Sequence, residues 1–222
     1  ISLNPGDVMA HHWYSLVLRT AGRHEAAMAE IRIARELDPL SPVISTSLAR
    51  HYYFDGDYER ARAEARNALA LDSTYFQAHL AAGLIAVQRG EYEAAMESYR
   101  TAERVLGMEA PVIAALTAHA LGAAGRPGQA RRLYEGLRSL PDSVYVPPQF
   151  LAIAAIGAGR HDEAVDWLEA ALEERSAAFL YMEIEPAVEP LRDHPGFRRL
   201  LARAEALDPP PAHSTSRPAA GR

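Results

Sequence analysis

The residues of this chain that invite a chemical reading are His11, His12 and Trp13, a basic run at Arg60, Arg62 and Arg66, and a large complement of carboxylates. Adjacent histidines on a helix point about 100° apart, so His11 and His12 do not easily share one metal ion. No Cys or His stands at the spacing that a zinc site needs. The arginine run alternates with Glu59 and Glu64, the pattern of a solvated face. There is no Gly-x-Ser-x-Gly, no phosphate-binding Gly-x-x-x-x-Gly-Lys and no His-Glu-x-x-His. No two carboxylates share an apolar setting that would tune one as acid and the other as base. What remains is recognition, so the expectation is a non-enzyme with no cofactor and no metal.

Composition narrows the partners. The chain has 222 residues, of which 49% are hydrophobic and 23% charged, with a formal net charge of −6. It carries no basic footprint for nucleic acid. It has no cysteine, which excludes disulfides and thiolate-held zinc and fits a reducing compartment. No run approaches the ~18 apolar residues of a membrane span, and residues 1–20 lack a signal-peptide pattern. The expected setting is the cytoplasm, with no membrane or nucleic-acid contact by this segment.

The elements that must position any recognition residues follow from a repeated phrase. Gly22-Arg23-His24-Glu25-Ala26-Ala27 returns as Gly56-Asp57-Tyr58-Glu59-Arg60-Ala61 and as Gly90-Glu91-Tyr92-Glu93-Ala94-Ala95. Looser copies begin at Gly125 and Gly159, so the leading glycines stand 34 or 35 residues apart. A period near 34 predicts stacked helix pairs. In the first unit helix A runs from about Asp7 to Ala21, Gly22 ends it in a left-handed conformation, and helix B starts near His24. Glu25, Glu59, Glu93 and Asp162 meet the positive ends of their B helices, and Pro127 stands where a missing N–H costs nothing.

Small residues are expected at the closest helix contacts. Ala27, Ala61, Ala95, Ala130 and Ala164 fall early in the B helices, opposite Ser15, Ala49, Gly83, Ala118 and Ala152. Ala34, Ala68, Ala102 and Ala171 face the next unit. Leu137 replaces alanine in the fourth unit and predicts a looser or differently angled junction there. His24 and His161 take the place of Tyr58 and Tyr92 and read as packing residues. Leu3-Asn4-Pro5 matches Leu37-Asp38-Pro39 one period later, and the chain starts at Ile1. It therefore reads as part of a longer protein, opening in the tail of an earlier repeat.

The pattern resembles the tetratricopeptide repeat family. Ser15, Ala27, Ala34 and Pro39 fit that family's positions in the first unit, Ala49, Ala61 and Ala68 in the second, and Gly83, Ala95 and Ala102 in the third. The family's large aromatic near the start of helix A is replaced by His11, Ser45 and His79. The resemblance implies an all-α fold: an α-solenoid of about five helix hairpins in a right-handed superhelix, closed by a C-terminal capping helix. The units span about 7–40, 41–74, 75–108, 110–143 and 145–176. Residues 1–6 are the preceding tail, 177–207 a capping segment in which Phe197, Leu200, Leu201 and Ala204 cover the last repeat, and 208–222 a disordered tail.

The resemblance also implies a protein–protein interaction scaffold that takes a peptide segment or partner domain in the concave groove of its A helices. The groove residues are His12, Leu16, Arg19, Arg50, Tyr53, Leu80, Leu84, Val87, Gln88 and His119, with Arg50 and Tyr53 foremost. Met9, Val43, Thr46, Gln77, Val112, Ala115, Val146, Gln149, Ile153 and Ile156 complete the stripe. It changes from polar and basic to aliphatic along the array. Either a partner with an acidic end and an apolar end lies on it, or the chain's own C-terminal segment covers the aliphatic part. The positions of the family's carboxylate clamp hold His12, Leu16 and Ser47, none of them lysine or asparagine, so no clamp of that kind is expected. The ending resembles that of multidomain bacterial signalling proteins, which raises the alternative of a regulatory or sensor module acting on a transcription regulator, kinase or cyclase in the same chain.

Overall fold

The computed structural model describes residues 4–141 and 143–207. The readings of residues 1–3 as part of a preceding repeat and of 208–222 as a disordered tail lie outside the described residues. Five helix pairs follow one another: α1 (Val8–Thr20) with α2 (His24–Leu37), α3 (Pro42–Phe54) with α4 (Tyr58–Leu71), α5 (Phe76–Gln88) with α6 (Tyr92–Leu106), α7 (Pro111–Ala123) with α8 (Pro127–Arg138), and α9 (Pro148–Gly157) with α10 (His161–Glu173). Two 3-10 segments, Ala177–Tyr181 and Pro186–Leu191, lead to α11 (Pro195–Leu207). The array is an α-solenoid, and no helix among the described residues is long and apolar enough to cross a membrane.

Local chemistry sets the helix ends. Asp7 accepts from the Ala10 amide at 3.0 Å, Ser41 from Ile44 at 3.3 Å and Asp57 from Arg60 at 3.1 Å, each filling an orphan donor of a first turn. Gly22, Gly56, Gly90, Gly125 and Gly159 all adopt φ between 71° and 74°, the left-handed turn that a side chain resists. This one conformation, repeated five times, turns each A helix back as a B helix.

Packing then follows the small residues. Every early alanine of the B helices, from Ala27 to Ala164, is fully buried, as are Ser15, Ala49, Ala118 and Ala152 opposite them. At Gly83 a Cβ would overlap the Tyr99 ring, so the tyrosine fills the space that the missing side chain leaves. The B helices bury one stripe and leave the rest charged, whereas α9 buries nearly every residue because helices pack on all its sides.

The fourth junction is irregular in a specific way. Leu137 is buried beside Leu151 and Leu168, and α7 and α9 meet backbone to backbone. A Cβ on Gly157 would lie 2.6 Å from the Cα of His119, and one on Gly122 would overlap Gly157 itself. Phe197 and Leu200 of α11 enter the last core, with Leu201 and Ala204 packed against it.

Candidate functional site

The concave side is crossed by the chain's own segment 177–191. Phe179 and Met182 are buried with Leu168 and Leu191. Tyr181 stacks on Phe54 at 5.5 Å between ring centroids, and its hydroxyl donates to the Leu16 carbonyl at 3.5 Å. The Tyr53 hydroxyl donates to Glu185 Oε1 at 2.5 Å, and the Ala187 amide donates to the same oxygen at 3.3 Å. Ala187 is buried in a cluster with Val87, Leu116 and Ile153. This strap therefore reaches α1, α3, α7 and α9. The covering of the aliphatic groove by the chain's own C-terminal segment, one of the two alternatives above, is realised at Ala187.

Beside the strap a chamber of about 400 Å³ stays open. Its wall includes His12, Trp13 and Leu16 of α1, Val43, Thr46, Ser47 and Arg50 of α3, and Gln77, Leu80 and Leu84 of α5. Val112, Leu116, Gln149, Phe150 and Ile153 close the far end, and Tyr181, Met182 and Glu185 supply the strap side. Arg50 lies over the Phe54 and Tyr181 rings, 5.6 and 5.9 Å from their centroids. It forms no ion pair among the described residues, unlike most arginines of the outer faces.

Of the expected groove residues, His12, Leu16, Arg50, Leu80 and Leu84 come together around this chamber. The others do not. Arg19 and Tyr53 are 2% and 1% exposed, and Val87 and His119 are also buried. Arg19, Tyr53 and Val87 stand one period apart on a register that the structure buries, whereas His119 continues the register of Leu16, Arg50 and Leu84 and is covered by the strap at Ala187. Periodicity gives an angle around each helix but not which neighbouring helix covers it, and here the last turn of each A helix points into the seam between units. Gln88, the final residue of α5, is half-buried and not part of the chamber wall.

The buried register has its own chemistry. Arg19 Nε donates to His51 Nδ1 at 3.1 Å, and its Nη1 pairs with Asp55. His51 is thereby fixed as a neutral ring whose Nε2–H faces Ser15 Oγ at 3.1 Å, while Ser15 donates to the His12 carbonyl at 2.7 Å. Burial, with the Arg19 charge beside it, pushes His51 down to about 3. Burial pushes His119 down to about 4, against a hydrogen bond to the Ala187 backbone. Burial pushes the Glu185 carboxyl up, against the Tyr53 and Ala187 hydrogen bonds and the Arg50 charge.

Three further histidines lie off the chamber wall. His11 is buried and bonded to Glu30 at 2.5 Å and to the Pro5 carbonyl at 2.9 Å. His24 and His161, expected in packing, are exposed: they begin their helices on the solvent side and leave the aromatic role to Tyr58 and Tyr92. No group of three or more His, Cys, Asp or Glu among the described residues is arranged to hold a metal ion.

Sequence reasoning misses Trp13, Phe150 and the strap residues Tyr181, Met182 and Glu185 as parts of the site. The apolar run from Ala178 to Met182 is the available signal, and in sequence it reads as a cap.

Two tetratricopeptide repeat family models match the chain, one over residues 46–110 and one over 111–135 and 150–170. The chain belongs to the tetratricopeptide repeat family. Solved structures with the same fold include a thermophilic tetratricopeptide repeat protein of Thermus thermophilus, at 20% identity, covering 82% of this chain and 99% of that one with a TM-score of 0.62. A tetratricopeptide repeat protein of Parabacteroides merdae is 17% identical, covering 92% and 80% with a TM-score of 0.60. The Pseudomonas aeruginosa pilF structure is 19% identical, covering 91% and 92% with a TM-score of 0.53. No curated protein sequence matches. As a member of this repeat family, the chain has the architecture of an interaction scaffold.

Proposed function

We propose that the chain is a non-catalytic binding module that holds a short segment of a partner protein against the concave face of α1, α3 and α5. One observation carries this reading: the face already holds an irregular chain segment. The strap lies on it through a backbone carbonyl at Leu16, a buried hydroxyl at Tyr53 and an apolar niche at Ala187, which are the contact types a bound peptide uses. Leu16, Leu80, Leu84 and Arg50 remain open beside it for an apolar side chain flanked by an acidic one. The same contact made by another domain of a longer parent chain is the regulatory variant of this reading.

A peptide-display selection tests it, with a Leu80→Asp/Leu84→Asp double variant as the counter-selection. The expected binders lose affinity at least tenfold on the double variant while its circular dichroism stays helical. Binders indifferent to both substitutions would contradict the assignment.

A further inference from the structure

The chamber has a second property that a peptide groove does not require. Five side-chain polar atoms among the described residues are buried without a partner within the protein, and four of them belong to chamber residues: His12 Nδ1, Thr46 Oγ1, Ser47 Oγ and Gln149 Oε1. Each of these four residues is more than nine-tenths buried. The fifth, Tyr99 Oη, is not part of the wall. Buried polar groups without a protein partner are commonly met by water or a ligand, and the gathering of four of the five around one chamber is what points to this place.

Their placement is uneven. Three belong to α1 and α3 at the Arg50 end, and Gln149 lies on α9 at the far end. Leu80, Leu84, Val112 and Ile153 supply an apolar wall of the chamber. Its volume falls within the range, roughly 300–1,000 Å³, of small-molecule sites, which typically join an apolar lining to a few polar groups.

We propose that this chamber binds a small amphipathic monocarboxylate, with the carboxylate at Arg50, Ser47 and Thr46 and the apolar body along Leu80 and Leu84. Arg50 makes no ion pair among the described residues, and the one carboxyl in the wall, Glu185, is taken up by Tyr53 and the Ala187 amide although the Arg50 charge reaches it. Arg50 therefore supplies the positive charge for a ligand carboxylate, and the Ser47 and Thr46 hydroxyls supply donors to its second oxygen. The strap, through Tyr181 and Met182, forms part of the ligand's enclosure. The ligand is a free small molecule that takes the same Arg50, Leu80 and Leu84 as the partner segment, so the two compete for the chamber and the titration below separates them.

Trp13 lies in the chamber wall, whereas Trp167 packs away from it and donates to Tyr134. A Trp167→Phe protein therefore leaves one reporter at the site. Titration with octanoate, decanoate and dodecanoate, each compared with the alcohol of equal length, tests the proposal. The expected result is saturable quenching at 1:1 stoichiometry, with the alcohols at least tenfold weaker. Arg50→Gln should weaken the acids at least tenfold and leave the alcohols unchanged, and Leu80→Trp should block both, with melting temperature recorded for each variant. Acids that bind no better than alcohols, or equally well to Arg50→Gln, would overturn it. So would the absence of saturation in a folded protein; retained binding of display-selected segments would then leave the partner-segment reading standing, and its loss would end both.

Discussion

Tyr53 and Glu185 stand 132 residues apart in sequence and share a buried hydrogen bond of 2.5 Å between the third helix and the strap. The contact closes the chain on itself: the element after the last repeat is fastened to the second repeat. It also sets what the concave face can hold, because the strap lies across it.

Tyr53→Phe removes the hydroxyl and leaves the Glu185 carboxyl with only the Ala187 amide. Leaving a buried polar group short of a partner costs about 1–3 kcal/mol. The expected outcome is a lower denaturant midpoint, together with faster amide exchange across residues 181–188. A loss of stability with strap exchange unchanged would show that the tyrosine acts only through its ring.

Glu185 and His51 drive stability in opposite directions with pH. A carboxyl with a raised folded pKa gives a contribution that is fully present below its ordinary value of 4.5 and is lost as pH rises toward the folded value. Glu185→Gln keeps an acceptor but cannot ionise, so its stability relative to the native protein should improve as pH rises from 4.5. His51, held at about 3 against an ordinary 6.5, contributes stability that is present above 6.5 and is lost as pH falls through that window. His51→Gln should therefore flatten the decline between pH 6.5 and 5, measured by thermal melts in matched buffers.

Arg19 and Arg50 separate core from groove. Arg19→Ala leaves Asp55 and the His51 ring without their partner. It should cost roughly 2 kcal/mol or more, below the value for a fully buried pair because Asp55 is partly exposed. Arg50→Ala should change stability by no more than about 0.5 kcal/mol while weakening binding. Urea denaturation of the two variants decides the matter, and equal losses would mean that Arg50 too belongs to the core.

The seam between α7 and α9 depends on glycine. Gly157→Ala places a methyl against the backbone of Ala118 and His119 and should cost roughly 1–3 kcal/mol by overpacking. Gly136→Ala, in α8 with nothing within 4 Å of the new methyl, should gain about 0.5–1 kcal/mol from helix propensity alone. Denaturant midpoints shifting in the same direction would contradict the close approach.

The helix pairs are legible in sequence because their determinants are local. A left-handed glycine at each turn and an alanine at each tight crossing recur on one period, and neither needs knowledge of distant residues. The chamber is only half legible. His12, Leu16, Arg50, Leu80 and Leu84 follow from helical angle, but Arg19, Tyr53 and Val87 share that angle and are buried by neighbouring units. The strap is legible only as the alternative that the C-terminal segment covers the groove, and its contact residues are not, because the 34-residue period stops near Ser176 and 3-10 segments carry no comparable pattern. Glu185 gives no sign in sequence that it reaches Tyr53.

The proposed recognition surface is the concave face of the A helices, beside the strap. Hydrogen exchange of the chain with and without a display-selected segment tests it most directly. New protection is expected in residues 43–50 and 77–84, with changed exchange in the strap at 181–187. Protection confined to the outer helices α4 and α6, with α3, α5 and the strap unaltered, would contradict it.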